Sequence, residues 1–161
     1  MRRTLTILLM LVLMFTVTAC NSSSAEPLEA ERDDEPPTQI EPIDVYMNVE
    51  VDYDRVGMAH FEIETNLPDG TSLSVHLSQV GGFKDNMSAN VNNGKAKAVF
   101  GDTKGPLKGS FELTVYMFSV HQPTDVKAII GNHGSNLIGD LVKADSITNS
   151  NRVVFKLDYE F

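Results

Sequence analysis

The strongest folding signal in this sequence is Met87-Ser88-Ala89-Asn90-Val91-Asn92-Asn93-Gly94-Lys95-Ala96-Lys97-Ala98-Val99-Phe100. Asn93-Gly94 is the dipeptide that a two-residue type I′ turn requires, because both central residues of that turn have positive φ. If Asn92 lies opposite Lys95, the apolar residues of both strands fall on one face, and a one-residue slip would expose them. This register gives the pairs Val91 with Ala96, Ala89 with Ala98, and Met87 with Phe100. The stretch therefore predicts a β-hairpin.

Alternation of apolar and polar residues continues on both sides of this hairpin. From Ile43 to Asp54, apolar residues stand at every second position, which predicts one strand with a buried face and an acidic face. Pro68 and Gly70 predict a turn after the second strand. Apart from the hairpin, the residues expected to point inward are Ile43, Val45, Met47, Val49, Val51, Tyr53, Phe61, Ile63, Leu73, Val75, Leu77, Phe111, Leu113, Val115, Met117, Val153, Phe155, Leu157, Tyr159 and Phe161.

The strand rhythm stops between residues 121 and 142. Pro123 with the two residues after it predicts the start of a helix, and Gly131 fits its end. The apolar stripe of this helix is expected at Val126, Ile129 and Ile130. About seven short strands, with one short helix before the last strand, favour a mostly β fold over residues 43–161. The pattern is typical of an immunoglobulin or fibronectin type III β-sandwich.

The first twenty residues have the composition of an export signal. Arg2 and Arg3 precede an apolar run that ends in Val17-Thr18-Ala19-Cys20. The run is shorter than the ~20 apolar residues that a spanning helix needs. Its last four residues resemble the lipobox of bacterial lipoproteins, in which cleavage occurs directly before a cysteine that receives a diacylglycerol. An ordinary secretory signal and an uncleaved membrane anchor are the alternatives.

The lipobox resemblance implies an address for the protein. Residues 1–19 would be a lipoprotein signal peptide, and Cys20 would carry acyl chains such as palmitate. Two chains hold a protein stably at a bilayer, whereas one chain does so only marginally. The domain would then be lipid-anchored to the cell membrane, on its extracytoplasmic face.

Residues 20–42 are predicted to be a disordered acidic linker behind the lipidated cysteine. Between residues 21 and 41 seven acidic residues stand against Arg32, and prolines punctuate the segment. Low hydrophobicity with one dominant charge cannot bury enough apolar area to offset the entropy of ordering. The segment is interpreted as a spacer, with an acidic recognition segment as the alternative.

Composition excludes several classes of function. The formal net charge is −9, which disfavours binding to nucleic acid. Cys20 is the only cysteine, so disulfides, thiolate metal sites and cysteine nucleophiles are excluded from the folded part. The chain has no tryptophan, which weakens the case for stacking on sugars, although tyrosine and phenylalanine could substitute.

Catalytic motifs are missing from the sequence. It has no Gly-x-Ser-x-Gly elbow and no Walker or Gly-x-Gly-x-x-Gly loop. The four histidines, His60, His76, His121 and His133, have no zinc-site spacing. His60 and His76 fall on outward positions of their strands. We therefore expect a protein that is not an enzyme and that has no cofactor.

The acidic face of the first strand is the candidate site. It presents the outward residues Asp44, Tyr46, Glu50, Asp52 and Asp54. Such a face suits a basic partner, with the tyrosine as an anchor, because aromatic residues often dominate interface energies. A row of carboxylates could instead hold Ca²⁺. Alternate strand positions stand ~6–7 Å apart and do not converge, and acidic residues also suit an edge strand.

Two turn segments and the helical stretch carry a further resemblance. Residues 65–71, residues 104–109 and residues 126–142 are similar to those of small surface lipoproteins of Gram-positive bacilli. In these proteins a lipobox and an acidic linker precede one immunoglobulin-like module. The resemblance implies a fold and a membrane address, and it brings no catalytic residue. Since no catalytic motif is found, the favoured function is a non-catalytic module that binds a protein or envelope component through loops or an exposed sheet edge. The alternative function is an envelope lipoprotein that binds Ca²⁺ or a small ligand.

Overall fold

The structure, a computed structural model, describes residues 40–101 and 106–161, and its strands and single helix follow in chain order. The strands are β1 (Ile43–Asp44), β2 (Met47–Tyr53), β3 (Ala59–Thr65), β4 (Ser72–Ser78), β5 (Lys84–Asn90), β6 (Lys95–Phe100), β7 (Ser110–Phe118), β8 (Leu137–Ile138), β9 (Val142–Asp145) and β10 (Ser150–Glu160). A 3-10 turn at Ser119–His121 and the helix α1 (Thr124–Ile130) follow β7. The expected mostly β fold with one short helix before the last strand is confirmed.

The strands form two larger sheets and one short pair. The three-stranded sheet has the order β2-β3-β6, and the five-stranded sheet has the order β5-β4-β7-β10-β9. Both sheets are antiparallel throughout. β1 and β8 pair in parallel over two residues. Because β2 is an edge strand, its acidic residues lie where charge blocks unwanted pairing.

The inward residues of both larger sheets share one hydrophobic core. Period-two alternation in the sequence predicts most of its members. The largest side chains that are fully buried come from four strands, the helix and the link between β5 and β6: Phe61, Ile63, Leu73, Val75, Leu77, Val91, Phe100, Leu113, Val115, Met117, Val126 and Ile130. Tyr53 was expected to point inward as well, but its side chain is 40% exposed. Its ring packs on Phe161 and its hydroxyl donates to the Leu107 carbonyl (3.0 Å), so it covers the rim of the core.

The turn at Asn93-Gly94 is confirmed, but the predicted hairpin ladder is wrong. Asn93 and Gly94 have φ of 51° and 73°, and Asn92 and Lys95 exchange backbone hydrogen bonds of 2.8 and 3.1 Å. Beyond that pair the strands separate, because β5 pairs with β4 and β6 pairs with β3. The predicted partners in β5 and β6 therefore belong to different sheets. Period two cannot distinguish two apolar faces that lie side by side from two that face each other across a core.

The predicted first strand is interrupted at Val45 and Tyr46. The side chain of Asn66 takes the place of a partner strand there: it accepts from the Tyr46 N–H (3.1 Å) and donates to the Asp44 carbonyl (2.8 Å). β1 consequently pairs with β8, whereas β2 pairs with β3. The described residues form ten strands instead of the expected seven. The interruption adds one strand, and β8 and β9, which are only two and four residues long, add the other two.

The helix before the last strand begins and ends where the sequence predicts. Pro123 precedes the first turn of α1, and Gly131 ends the helix with φ of 82°. Val126 and Ile130 are buried, but Ile129 is 44% exposed, so the apolar stripe is narrower than expected. Val153 of β10 is buried, and the inward residues after it are only partly buried because they lie near the rim.

Several predictions lie outside the described residues. These are the signal peptide at 1–19, Cys20 and nearly all of the linker at 20–42. Among residues 40–101 and 106–161, no helix combines the length and the apolar character needed to cross a membrane.

Candidate functional site

The outward side of the three-stranded sheet is densely charged. Cross-strand register places its side chains in three rows: Asn48, Glu64 and Lys95; Glu50, Glu62 and Lys97; and Asp52, His60 and Val99. We call the charged face the surface formed by Glu50, Asp52, Asp54, His60, Glu62, Glu64, Lys95 and Lys97. Residues of this face line a shallow depression of about 620 Å³. Five carboxylates stand against two lysines, so the face is acidic overall.

The structure brings together three of the five predicted site residues. Glu50 and Asp52 lie on β2, and Asp54 follows directly at the turn into β3. Asp44 lies on β1, before the start of β2, and its carboxylate packs over Gly139. Tyr46 lies between β1 and β2 and is 47% exposed. The predicted continuous row is therefore a group of three carboxylates, with Tyr46 and Asp44 beyond it.

Asp54 has a structural role in the turn that it begins. Its Oδ1 accepts from the backbone N–H groups of Val56 and Met58, both at 2.9 Å. Its Oδ2 lies 2.9 Å from Nε2 of His60. The hydrogen bond with His60, followed by the bond from Met58, lowers the pKa of Asp54 below its ordinary 3.8. Asp54 is thus held ionised by partners within the domain.

Glu62 is the most strongly engaged carboxylate of the charged face. It pairs with Lys95 and, at 3.2 Å, with Lys97. The hydrogen bond from Lys95 is the main cause that lowers the pKa of Glu62, and the same bond raises the pKa of Lys95. Glu50 lies directly opposite Glu62, an arrangement that repels unless a cation intervenes. The two lysines pair with Glu62 and so offset part of this repulsion, although neither pairs with Glu50.

Three carboxylates of the charged face remain available to a partner. Among the described residues, Glu50, Asp52 and Glu64 form no ion pair. Asp52 accepts only from the N–H of the next residue, Tyr53, at 2.9 Å. These acids are exposed or lie at the edge of the sheet. They are therefore already solvated and can meet a basic group without breaking an existing pair.

The carboxylates do not converge on one point. Within the described part of the chain, no group of three or more His, Cys, Asp or Glu side chains is placed to hold a metal ion. Side chains at alternate positions of β2 stand parallel, as expected for a strand. Glu62, which lies between the acidic edge and β6, is occupied by two lysines. The outward carboxylates of β2 therefore stand side by side along the strand and do not surround one point.

The histidines are spread over the domain. His60 is the outward residue that pairs with Asp54, and His76 is an outward residue of β4 whose ring contacts Tyr116. His121 ends the 3-10 turn and His133 follows α1. The outward positions predicted for the two strand histidines are confirmed.

Reasoning from the sequence missed two features of the surface. Lys95 and Lys97 belong to the charged face, which outward parity in β6 suggests only once β6 is known to lie beside β3. Tyr116 and Phe118 form part of an aromatic line on the other sheet, and both were visible as outward aromatic residues of one strand.

No protein-family model, no curated protein and no solved structure matches this chain.

Proposed function

We propose that this chain is a non-catalytic lipoprotein, lipid-anchored on the extracytoplasmic face of the cell membrane, whose domain binds a basic protein or envelope component. The anchor is supported by Val17-Thr18-Ala19-Cys20, which has the residue types of a lipobox after a short apolar run. A diacylglyceryl group on Cys20 would provide two acyl chains, enough for stable attachment.

The order of the strands supports an assignment to the fibronectin type III style of sandwich. Taking β2, β3, β4, β5, β6, β7 and β10 as strands A, B, C, C′, E, F and G gives one sheet A-B-E. The larger sheet then contains C′-C-F-G, with β9 added beyond G. This fold hosts many functions, so the function must be argued from the surface.

The observation that carries the proposal is the set of unpaired carboxylates on the charged face. Glu50 lies between the other two, since Asp52 is the next outward residue of β2 and Glu64 is opposite Asn48 on β3, and Tyr46 is exposed beyond Asn48. Charges of one sign steer a partner of the opposite sign and fix its orientation, and an aromatic residue supplies contact area. A basic partner is the complement of such a surface.

The lowered pKa values among the surface carboxyl groups come from contacts within the domain. The carboxyl groups of Asp54, Glu62, Glu112 and Asp145 all have lowered pKa values. In each case the main cause is a hydrogen bond from a surface partner or a turn N–H. These four carboxylates are held by the domain itself, so the proposal rests on the other acids of the charged face.

Capture from solubilised envelope tests the binding surface. The full-length chain serves as bait, beside Glu50→Lys/Asp52→Lys and the matched control Asp158→Lys/Glu160→Lys on the five-stranded sheet. Both doubles change the net charge equally. We expect a captured component that the first double loses and the control keeps, and that is released at ~1 M salt, where the Debye length is ~3 Å. Equal capture by all three baits would contradict the charged face.

The anchor requires a separate test. Cys20→Ala should remove the protein from the detergent phase of whole-cell extracts, because the acceptor of the lipid is gone. Partitioning equal to the wild type would refute the lipoprotein assignment without bearing on the charged face.

A further inference from the structure

The turn between β5 and β6 carries Asn93, the only asparagine of the sequence that precedes a glycine. An asparagine side chain loses ammonia when the backbone nitrogen of the next residue attacks its amide carbon. Glycine in the next position favours this attack, because it has no β-carbon to obstruct the approach of the nitrogen. The turn is therefore a chemically reactive position as well as a structural one.

Both reacting groups of this turn lie at the surface. Asn93 is exposed and Gly94 is partly exposed. The side-chain amide of Asn93 is held by one hydrogen bond, in which its Nδ2 donates to Oδ1 of Asn92 (2.8 Å). Because Asn92 is exposed as well, water reaches the amide group that would leave and the carbon that would be attacked.

The attacking nitrogen of Gly94 has only a long hydrogen bond. Its N–H donates to Oδ1 of Asp69 at 3.3 Å, and Asp69 is itself exposed. In the adjacent turn, Asp69-Gly70 is a second dipeptide that can cyclise, but the Gly70 N–H donates to the Val91 carbonyl at 2.8 Å. The nitrogen of Gly94 is thus the more available of the two.

Asn149 provides a comparison within the same chain. Among the described residues, Asn93 and Asn149 are the two other than glycine that have positive φ, at 51° and 48°. Both are exposed. The residue after Asn149 is Ser150, which is buried and has a β-carbon beside its nitrogen. The two asparagines therefore share backbone conformation and exposure and differ in the residue that must attack.

We propose that Asn93 is a site of spontaneous deamidation and that Asp69 restrains the reaction. The Gly94 nitrogen bonds to Cγ of Asn93, the bond from Cγ to Nδ2 breaks, and the proton of the attacking nitrogen leaves with ammonia. Water then opens the resulting succinimide ring at either of its two C–N bonds, which gives aspartate or isoaspartate. Asp69 slows the first step, because its carboxylate holds the N–H and repels negative charge that develops on the nitrogen.

Conversion of Asn93 would alter the contact between the two turns. Either product places a second carboxylate close to Asp69, so that like charges repel there. Isoaspartate also lengthens the backbone by a methylene between β5 of the five-stranded sheet and β6 of the three-stranded sheet. The reaction therefore loosens the link between the sheets, and it does so independently of the charged face and of the lipid anchor.

Incubation of the purified full-length chain in detergent at mildly alkaline pH tests the proposal. Peptide mapping by mass spectrometry follows each asparagine, and methylation by an isoaspartyl methyltransferase detects isoaspartate. We expect Asn93 to convert before every other asparagine between residues 40 and 161. It should convert about tenfold faster than Asn149, which corresponds to a barrier lower by ~1.4 kcal/mol. The rate should rise with pH, because the attacking nitrogen must lose its proton.

Matched variants test the roles of the two neighbours. Asp69→Ala should raise the rate at Asn93 about twofold or more, since it removes a hydrogen bond to the nitrogen. Asp140→Ala, at an exposed acid in the link between β8 and β9, should leave the rate unchanged. Gly94→Asn tolerates the positive φ and adds a β-carbon, so it should slow the reaction. Melting curves confirm that each variant is folded.

Three results would overturn the proposal. The first is an Asn93 that stays intact while a short Asn-Gly peptide in the same buffer is fully converted, or that converts after Asn149. The second is an unchanged rate in Gly94→Asn, which would show that the Gly94 nitrogen is not the attacking group. The third is a rate that Asp69→Ala leaves unchanged or lowers. A lowered rate would identify the carboxylate as a base that assists the attack.

Discussion

The two outward faces of this domain rest on the same core but have opposite chemistry. The charged face crosses β2, β3 and β6 with acids and lysines in register, whereas the outward side of β5, β4 and β7 carries mostly serines, an asparagine and aromatic rings. Alternation leaves every second position of a strand free of the demands of packing. The difference shows that two sheets can share one core and still carry different side-chain chemistry at their outward positions.

Disrupting the shared core should have the largest effect, because both outward faces depend on it. Phe61 is buried, and its ring contacts Phe100 and Phe161. Phe61→Ala is expected to destabilise the domain by about 3–5 kcal/mol, since it removes an aromatic side chain from a closed core. Chemical denaturation measures the loss, and the charged face should lose its binding when the domain unfolds. Val56→Ala, at a residue that is 80% exposed, is the control and should change little.

The turn that passes the chain from one sheet to the other gives the next effect. Gly94 has φ of 73°, and a β-carbon there would approach the Thr65 carbonyl at 3.3 Å. Gly94→Val should cost about 1 kcal/mol or more, because a β-branched residue is strained at positive φ. Gly94→Asn should be milder, since asparagine tolerates this conformation. Identical melting temperatures for the two variants would show that the turn is not under this constraint.

Acid should weaken the ion pairs of the charged face more than the ion pair on the five-stranded sheet. The pKa of Glu62 is lowered from 4.5, so its pairs contribute stability above that pH, and the contribution is lost as the pH falls through the lowered value. Glu62→Gln should therefore flatten the fall in melting temperature below about pH 4.5.

Glu112→Gln is the matched comparison for this pH dependence. Glu112 pairs with one lysine, Lys156, whereas Glu62 pairs with two, so its replacement should flatten the curve less. Both effects should be small, because exposed ion pairs contribute little. Carboxyl groups titrate between about pH 7 and about pH 3. A wild-type melting temperature that stays constant over this range would contradict the ion pairs of Glu62 and Glu112.

Calcium should have no effect on either face. The acids of the charged face do not converge, so millimolar Ca²⁺ should leave the melting temperature unchanged. A rise of several degrees that Asp52→Asn/Asp54→Asn abolishes would overturn this expectation. It would make the charged face a cation site.

The sequence predicted which residues face inward better than it predicted which strands are neighbours. Alternation identified Phe61, Val75 and Val115 as core residues because burial acts on each strand separately. The divergence of β5 and β6 depends on contacts distant in sequence, such as the bond from the Val91 N–H to the Thr71 carbonyl (2.9 Å). Short pairs such as β1 with β8 carry no periodic signal.

The candidate site was predicted only along one strand. Glu50, Asp52 and Asp54 could be placed on one side by parity alone. Their pairing with His60, and the presence of Lys95 and Lys97 on the same surface, required the register between three strands. The interruption that separates Asp44 from the others depends on the side chain of Asn66, which no strand pattern includes.

Carboxyl footprinting on intact cells tests the central claim most directly. Carbodiimide labelling followed by mass spectrometry compares the modification of each carboxylate in the anchored protein with that in the purified full-length chain. We predict that Glu50, Asp52 and Glu64 are protected on cells and become labelled at high salt. Asp158 and Glu160, on the other sheet, should be labelled equally in both settings. Equal labelling of Glu50, Asp52 and Glu64 on cells and in solution would contradict the assignment of the charged face as the binding surface.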